Sequence, residues 1–287
     1  MALSPIQKPV SFSQQVRQAF GSRVAAYEPQ ARLQRGIAWR LAGWAQHHGW
    51  GRALPLGPCA DLGAGTGLVG RALGAWQILL PGPLQQLDLC PEALARNGSG
   101  PTLPWDLNQG LPPQLEGASL LTSSFALQWL DAPPETLTLW GEQLAPGGWL
   151  LLAVPTAGSF PQWRQAARLA GVPCSALELP RAEALLHAAA RGGLAPVHCQ
   201  VLTFSHQRPA SHQRPAGTAP SPLAALRAMQ AIGAGTSRER APLPAGAWRR
   251  LLAAWPEGGR LSWEVLLLLA RKREGWAPTP GGLPCSW

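Results

Sequence analysis

The ten residues DLGAGTGLVG, Asp61–Gly70, carry four glycines between two apolar runs. Glycine this dense marks a tight turn whose backbone takes positive φ, or one that another group must approach closely. Leu54–Leu62 ahead of it reads as a short strand and Leu68–Trp76 behind it as a helix. A helix opening on such a loop presents free N–H groups and the positive end of its dipole to whatever lies above it. The stretch therefore predicts a strand–loop–helix unit of an α/β sheet, with a ligand at the carboxyl ends of the strands.

Outward from this unit the same alternation continues. Leu84–Leu89 reads as a second strand closed by Pro91, with Glu92–Arg96 starting a helix; Ala118–Ser124 is a later strand. Pro133 and Pro134 open a helix through Leu144, Pro146–Gly148 is a turn, and Trp149–Val154 is a buried strand. Strands and helices alternating at this length predict a mostly parallel sheet covered on both faces. Upstream, Val16, Ala19 and Phe20 share a helical face, as do Leu33, Ile37 and Leu41. Downstream, Phe160–Ala170, Arg181–Ala190 and Leu223–Ile232 read as helices, and Val197–Phe204 and Leu261–Arg271 as strands. One domain is expected over residues 1–287: helices in 1–50, a core in 54–156, a helical insertion with an edge strand in 157–260, a last strand in 261–275 and a tail in 276–287.

Composition narrows the partners. The net charge is +9, almost all of it arginine, since only Lys8 and Lys272 are lysine. An arginine-rich coding bias accounts for this, and so does an acidic partner that a positive field would attract. No helix-turn-helix, zinc or RNA-binding signature accompanies the charge, so nucleic acid is not expected. Five scattered cysteines form no close pair, which argues against a disulfide framework or a zinc site. The first fifteen residues hold no apolar run, and Val265–Ala270 is too short to cross a bilayer, so a cytoplasmic protein with no membrane span is expected. The hexapeptide SHQRPA occurs twice, at 205–210 and 211–216, within a loop drawn at 205–222; it reads as a tolerant surface insertion. His206 and His212 there, and the neighbours His47 and His48, lack the partners a metal needs, and no metal is expected.

The glycine loop can be read two ways. Gly65, Gly67 and Gly70 spell G-x-G-x-x-G, a dinucleotide spacing that is weak alone. Asp61, Gly63, Gly65 and Gly67 spell D-x-G-x-G-x-G, which resembles motif I of class I S-adenosylmethionine (SAM) methyltransferases. Asp88 ends the second strand, where an acid can accept from ribose hydroxyls. Asp106, in PWDLNQGLP, follows the third strand position, where the resemblance implies an acceptor for an adenine amino group.

Further segments sharpen this. AFGSRVAAYEPQARLQR (19–35), SSFALQWL (123–130), GSFPQWRQA (158–166), AMQAIGAG (228–235) and WPEGGRLSWEVLLLLARK (255–272) together resemble the malonyl-acyl carrier protein O-methyltransferases of biotin synthesis. The chain departs from that pattern at Ser22, where the family usually has Arg, in the SHQRPA loop, and in a long 76–83 stretch. The resemblance implies a Rossmann-like class I methyltransferase fold with a seven-stranded sheet. It also implies a lid made by the N-terminal helices and the insertion after the fifth strand. SAM is the implied co-substrate, held by Asp61, Gly63, Gly65, Gly67, Asp88, Asp106 and Ser123. The acceptor is then the free carboxylate of malonyl-acyl carrier protein, or of malonyl-CoA, positioned by Tyr27, Gln128 and Trp129. A carboxylate is already ionised at neutral pH, so no general base is required. Arg164 and Arg168, four apart on one helix, are candidates for carrier-protein docking. The rival readings are a class I methyltransferase of another small acid or a quinone precursor, a nicotinamide-dependent oxidoreductase, and a SAM-binding subunit without turnover.

Overall fold

A computed structural model describes residues 11–48, 54–206, 221–231, 243–256 and 261–276. Its strands are β1 (Cys59–Leu62), β2 (Leu84–Asp88), β3 (Thr102–Pro104), β4 (Ala118–Ser124), β5 (Leu144–Pro155), β6 (Leu194–His206) and β7 (Leu261–Lys272). They form one seven-stranded sheet in the order β3-β2-β1-β4-β5-β7-β6. β1 to β5 pair in parallel, and β7 runs antiparallel between β5 and β6. The seven-stranded, mostly parallel α/β sheet expected from the sequence is present. The antiparallel β7 departs from the 3-2-1-4-5-6 order of dinucleotide sheets, which weighs against the nicotinamide reading.

The helices are α1 (Phe12–Gly21), α2 (Val24–Gln30), α3 (Arg32–His47), α4 (Leu68–Ala75), α5 (Pro91–Leu94), α6 (Pro133–Gln143), α7 (Pro161–Ala170), α8 (Ala182–Arg191), α9 (Pro222–Ala231) and α10 (Ala245–Ala253). Two apolar layers sandwich the sheet because side chains alternate along each strand. On β5, Trp149, Leu151 and Ala153 pack with Ile37, Leu41, Leu73 and Trp163 of α3, α4 and α7. Leu150, Leu152 and Val154 face Leu137, Trp140 and Leu185 of α6 and α8. The unbroken apolar runs of β5 and β7 follow from burial on both faces. Lys272 ends β7 by donating from Nζ to Gly141 O at 2.8 Å and Gly192 O at 2.7 Å, with the Trp276 ring centroid 3.6 Å away. One cation thus closes the carbonyl ends of α6 and α8.

Three boundaries differ from the expectation. The first strand starts at Cys59 rather than Leu54, because Pro55 and Pro58 lack the N–H that a ladder needs. Pro146–Gly148 lies inside β5 rather than in a separate turn: the register shifts there against Ala118 and Leu120, and Gly147 takes φ +74. α10, flanked by Pro244, was not read from the sequence. The SHQRPA duplication beyond His206 lies outside the described residues, as does the tail from 277. Among the described residues no helix is long and apolar enough to cross a membrane.

The fold brings the ends of β1, β2 and β4 together beneath α1 and α2. α3 packs on α4 and the sheet, α2 meets α9, and α7 packs on α10 and β7.

Candidate functional site

The glycine loop floors a cavity at the carboxyl edge of the sheet. Gly65 takes φ +53 and lines the cavity, and a Cβ built on it would meet nothing within 4 Å. Its N–H donates to Asp88 Oδ2 at 2.8 Å, and Asp88 Oδ1 accepts from Cys90 N at 2.8 Å. Asp88 therefore joins the loop to the end of β2. Gly63 also lines the cavity. Gly67 does not: a Cβ there would lie 2.4 Å from Asn97 Oδ1, and one on Gly70 would lie 2.5 Å from Ser99 Cβ. These two glycines admit the 97–99 segment behind the loop rather than a ligand in front of it.

Three acids converge on the cavity from successive strand ends: Asp61, Asp88 and Asp106. Asp61 is 1% exposed; its Oδ1 accepts from Thr122 Oγ1 at 2.8 Å, and its Oδ2 has no partner. Burial pushes this carboxyl up to about 7, against the Thr122 bond, and the nearby Asp88 adds to the rise. Burial also raises Asp88, opposed by its two backbone donors. Asp106 caps the turn Leu107–Gln109, accepting from Asn108 N at 3.0 Å. The set can take a cation at Asp61 and hydroxyl or amino donors at Asp88 and Asp106. Ser123 does not belong to it: strand alternation turns its Oγ to Leu62 O at 2.8 Å, and Ser124 faces the cavity instead.

The chain leaves β4 through Phe125, whose φ of +57 is uncommon for an aromatic residue. Phe125 N donates to Ala153 O at 2.9 Å, and Gln128 Nε2 donates to Phe125 O at 2.8 Å. This is what the Gln-Trp pair at a strand end does: Gln128 fastens the left-handed turn, and Trp129 swings its ring to the cavity. The Trp129 ring lies 5.5 Å edge-on from Phe20 and 6.3 Å from Phe12, so α1 packs directly over the site.

A second, smaller chamber adjoins the first. Phe20, Tyr27, Gln34, Phe125 and Trp129 line both and form the partition. Beyond it stand Gln128, Phe160, Leu177, Leu179 and Trp263, and no charged residue among those described lines this chamber. The Tyr27 ring is partly exposed, yet its hydroxyl is deep enough that burial, with Asp88 and Glu28 near, raises it well above its ordinary range. It stays a neutral donor. Gln34 is 6% exposed and was missed in the sequence. Its signal was a polar residue on the core stripe that continues through Ile37, Ala38 and Leu41. Arg164 and Arg168 lie on α7 away from both chambers: Arg164 donates to Ser159 O, and Arg168 is exposed. No group of three or more His, Cys, Asp or Glu among the described residues is placed to hold a metal.

The chain is 34% identical over 171 residues to the malonyl-[acyl-carrier protein] O-methyltransferase of Alcanivorax borkumensis, covering 55% of this chain and 54% of that protein. It is 31% identical over 215 residues to the biotin biosynthesis bifunctional protein BioCD of Bordetella avium, covering 67% of this chain and 42% of that one. The chain thus spans about half the length of the curated relatives it matches. No protein-family model matches it. Among solved structures, a SAM-dependent methyltransferase of Thermotoga maritima superposes with a TM-score of 0.50 at 14% identity, over 90% of this chain and 100% of that one. A Bacillus halodurans protein gives 0.53 at 14% identity, over 81% and 98%. At such identity the likeness speaks to the fold alone, and that fold is the class I methyltransferase fold.

Proposed function

We propose that the chain is a SAM-dependent O-methyltransferase that esterifies the free carboxylate of a malonyl group held on acyl carrier protein, in the synthesis of biotin. The observation that carries this reading is the pairing of two chambers. One gathers Asp61, Asp88 and Asp106 over an open glycine loop; the other is mainly aromatic and aliphatic, with a few neutral polar groups and no charge among its described lining residues. The names of the two relatives give the substrate class and the pathway.

The first chamber fits SAM on its donor chemistry. The unpartnered Asp61 Oδ2 matches an ammonium group, Asp88 matches ribose hydroxyls, and the open face of Gly65 admits close approach. Bound there, SAM supplies a methyl group on a positively charged sulfur. The chain's own task is alignment and exclusion of water. Holding two reactants in line is worth about 7–11 kcal/mol in ideal cases. Trp129, on the partition, is an aromatic ring of the kind a cation packs against. Neutral donors such as the Tyr27 hydroxyl can hold an acceptor carboxylate without quenching it as an arginine would. Gln128 suits that part less than its sequence position suggests, because its amide nitrogen already serves Phe125 O. No side chain need take a proton, since the acceptor arrives ionised.

The test is release of S-adenosylhomocysteine (SAH) from SAM with malonyl-acyl carrier protein, malonyl-CoA and free malonate offered in turn. Turnover with a malonyl thioester, and not with malonate at the same concentration, supports the reading. Turnover with none of them, or stabilisation by NAD and not by SAH, removes it.

A further inference from the structure

Gln34 occupies an unusual position for an uncharged amide. It sits on α3 in the stripe that otherwise packs Ile37, Ala38 and Leu41 into the core. Its side chain is buried, it lines both chambers, and it makes no side-chain hydrogen bond among the described residues. Its amide atoms are not among the sealed, unpartnered polar atoms of the core, so the amide end opens on the chambers while the stem is buried. The helix gains nothing from it that leucine would not supply. The other amide of the smaller chamber, Gln128, is fixed by Nε2 on Phe125 O, which leaves one N–H beside an unpartnered acceptor Oε1. An acceptor oxygen repels a carboxylate. The lining residues of the smaller chamber with a free donor are Gln34, Gln128, Tyr27, Trp129 and Trp263; of these Gln34 is the amide with neither end engaged among the described residues, and it reaches both chambers.

We infer that Gln34 is the acceptor-binding residue: its NH2 group donates to the carboxylate that takes the methyl group and orients it across the partition, with Tyr27 as the second donor. This rests on the methyltransferase reading above and adds the residue that selects an acid over its ester. A neutral donor holds the anion in place and leaves it nucleophilic. The methyl ester, once formed, offers a weaker acceptor and leaves.

The experiment uses the full chain and three proteins: wild type, Gln34→Leu and Gln34→Glu. Each is titrated calorimetrically with SAH, then its SAH complex with malonate, and each is assayed on malonyl-acyl carrier protein from pH 6 to 8. Gln34→Leu should keep SAH affinity within about threefold and lose kcat/KM on the order of 10- to 100-fold, the loss expected for one hydrogen bond to a charged group. Malonate binding to its SAH complex should weaken in parallel. Gln34→Glu should fall further at pH 8, where its ionised carboxylate repels the acceptor. It should recover towards pH 6, where a buried carboxyl regains its proton and donates; a merely structural residue would give a pH-independent ratio to wild type. If Gln34→Leu keeps kcat/KM and malonate affinity within twofold of wild type, or loses SAH affinity as much as turnover, the assignment is wrong. If the wild type fails on malonyl-acyl carrier protein but malonate binding still depends on Gln34, the substrate reading falls and the assignment of Gln34 to a carboxylate stands.

Discussion

Asp88 joins the glycine loop to the end of β2 and lines the cavity: its two oxygens hold Gly65 N and Cys90 N, and under the reading proposed above it also receives the ribose hydroxyls. Asp88→Ala should therefore weaken SAH binding by about 3 kcal/mol or more, roughly a hundredfold in Kd by calorimetry; unchanged affinity would place the ligand elsewhere. Asp61 makes a pH prediction. Its folded-state pKa of about 7 stands above that of an unfolded aspartate, so the folded protein binds the extra proton. The stability it contributes is complete below about pH 4 and is lost as pH rises through about 7. Between pH 6 and 8 the ligand-free wild type should lose thermal midpoint relative to Asp61→Asn, and SAH should shrink the gap by supplying a cation. Parallel melting curves at all pH values would contradict it. The acids were legible in the sequence because each follows a strand end in order. Ser124 rather than Ser123 lines the cavity: adjacent strand residues face opposite sides, and the sequence does not say which of the two faces it. Gln34 was visible as a polar break in an apolar stripe, but only the cavity gives that break a meaning.

The elements that cover the site are held differently from those beneath it. α2 spans seven residues, includes Pro29, has no side-chain cap and fully buries none of its residues. Such a helix is marginal on its own. Polar ties fix it: Glu28 Oε1 accepts from Arg71 Nη2 at 2.6 Å, and Glu28 O accepts from Arg35 Nη2 at 2.7 Å. Arg71 also donates to Thr66 O in the glycine loop, so one guanidinium links the floor of the cavity to the helix that carries Tyr27. Both charged side chains are about two-fifths exposed, so the pair is a latch rather than a large source of stability. Arg71→Ala should leave the melting temperature nearly unchanged, speed amide exchange over residues 24–30, and lower kcat several-fold. Exchange rates equal to wild type would show that α2 is held by packing alone. The core strands were readable because continuous apolar runs admit one interpretation between prolines and glycines. Their ends were less so, since a bulge such as Pro146–Gly148 uses turn residues without ending its strand. α10 has a weak sequence signal, because only Ala247 and Leu251 mark its buried face.

At the scale of the whole molecule, net charge and fold point to separate parts of the account. The sheet order, with β7 reversed between β5 and β6, is what the alternating elements could not specify, because 54 residues separate β6 from β7 in the sequence. The +9 charge suits an acidic carrier protein. Arg168 is the cleaner probe of the α7 face, because Arg164 is committed to Ser159 O. If α7 is the docking face, Arg168→Glu should lower kcat/KM on carrier-bound malonyl at low salt, lose that deficit at high salt, and leave SAH affinity alone. Equal salt dependence of mutant and wild type would exclude α7. The central claim is that two adjoining chambers carry a methyl group from SAM to a free carboxylate, and the product itself decides it. Malonyl-acyl carrier protein is incubated with SAM and this protein, and its intact mass is followed before and after treatment with a methyl-ester-specific carboxylesterase at neutral pH. The account predicts a gain of one CH2 unit that the esterase removes while the malonyl thioester stays, and no gain on carrier protein lacking the malonyl group. An unchanged mass, or a methyl group that survives the esterase, would contradict it.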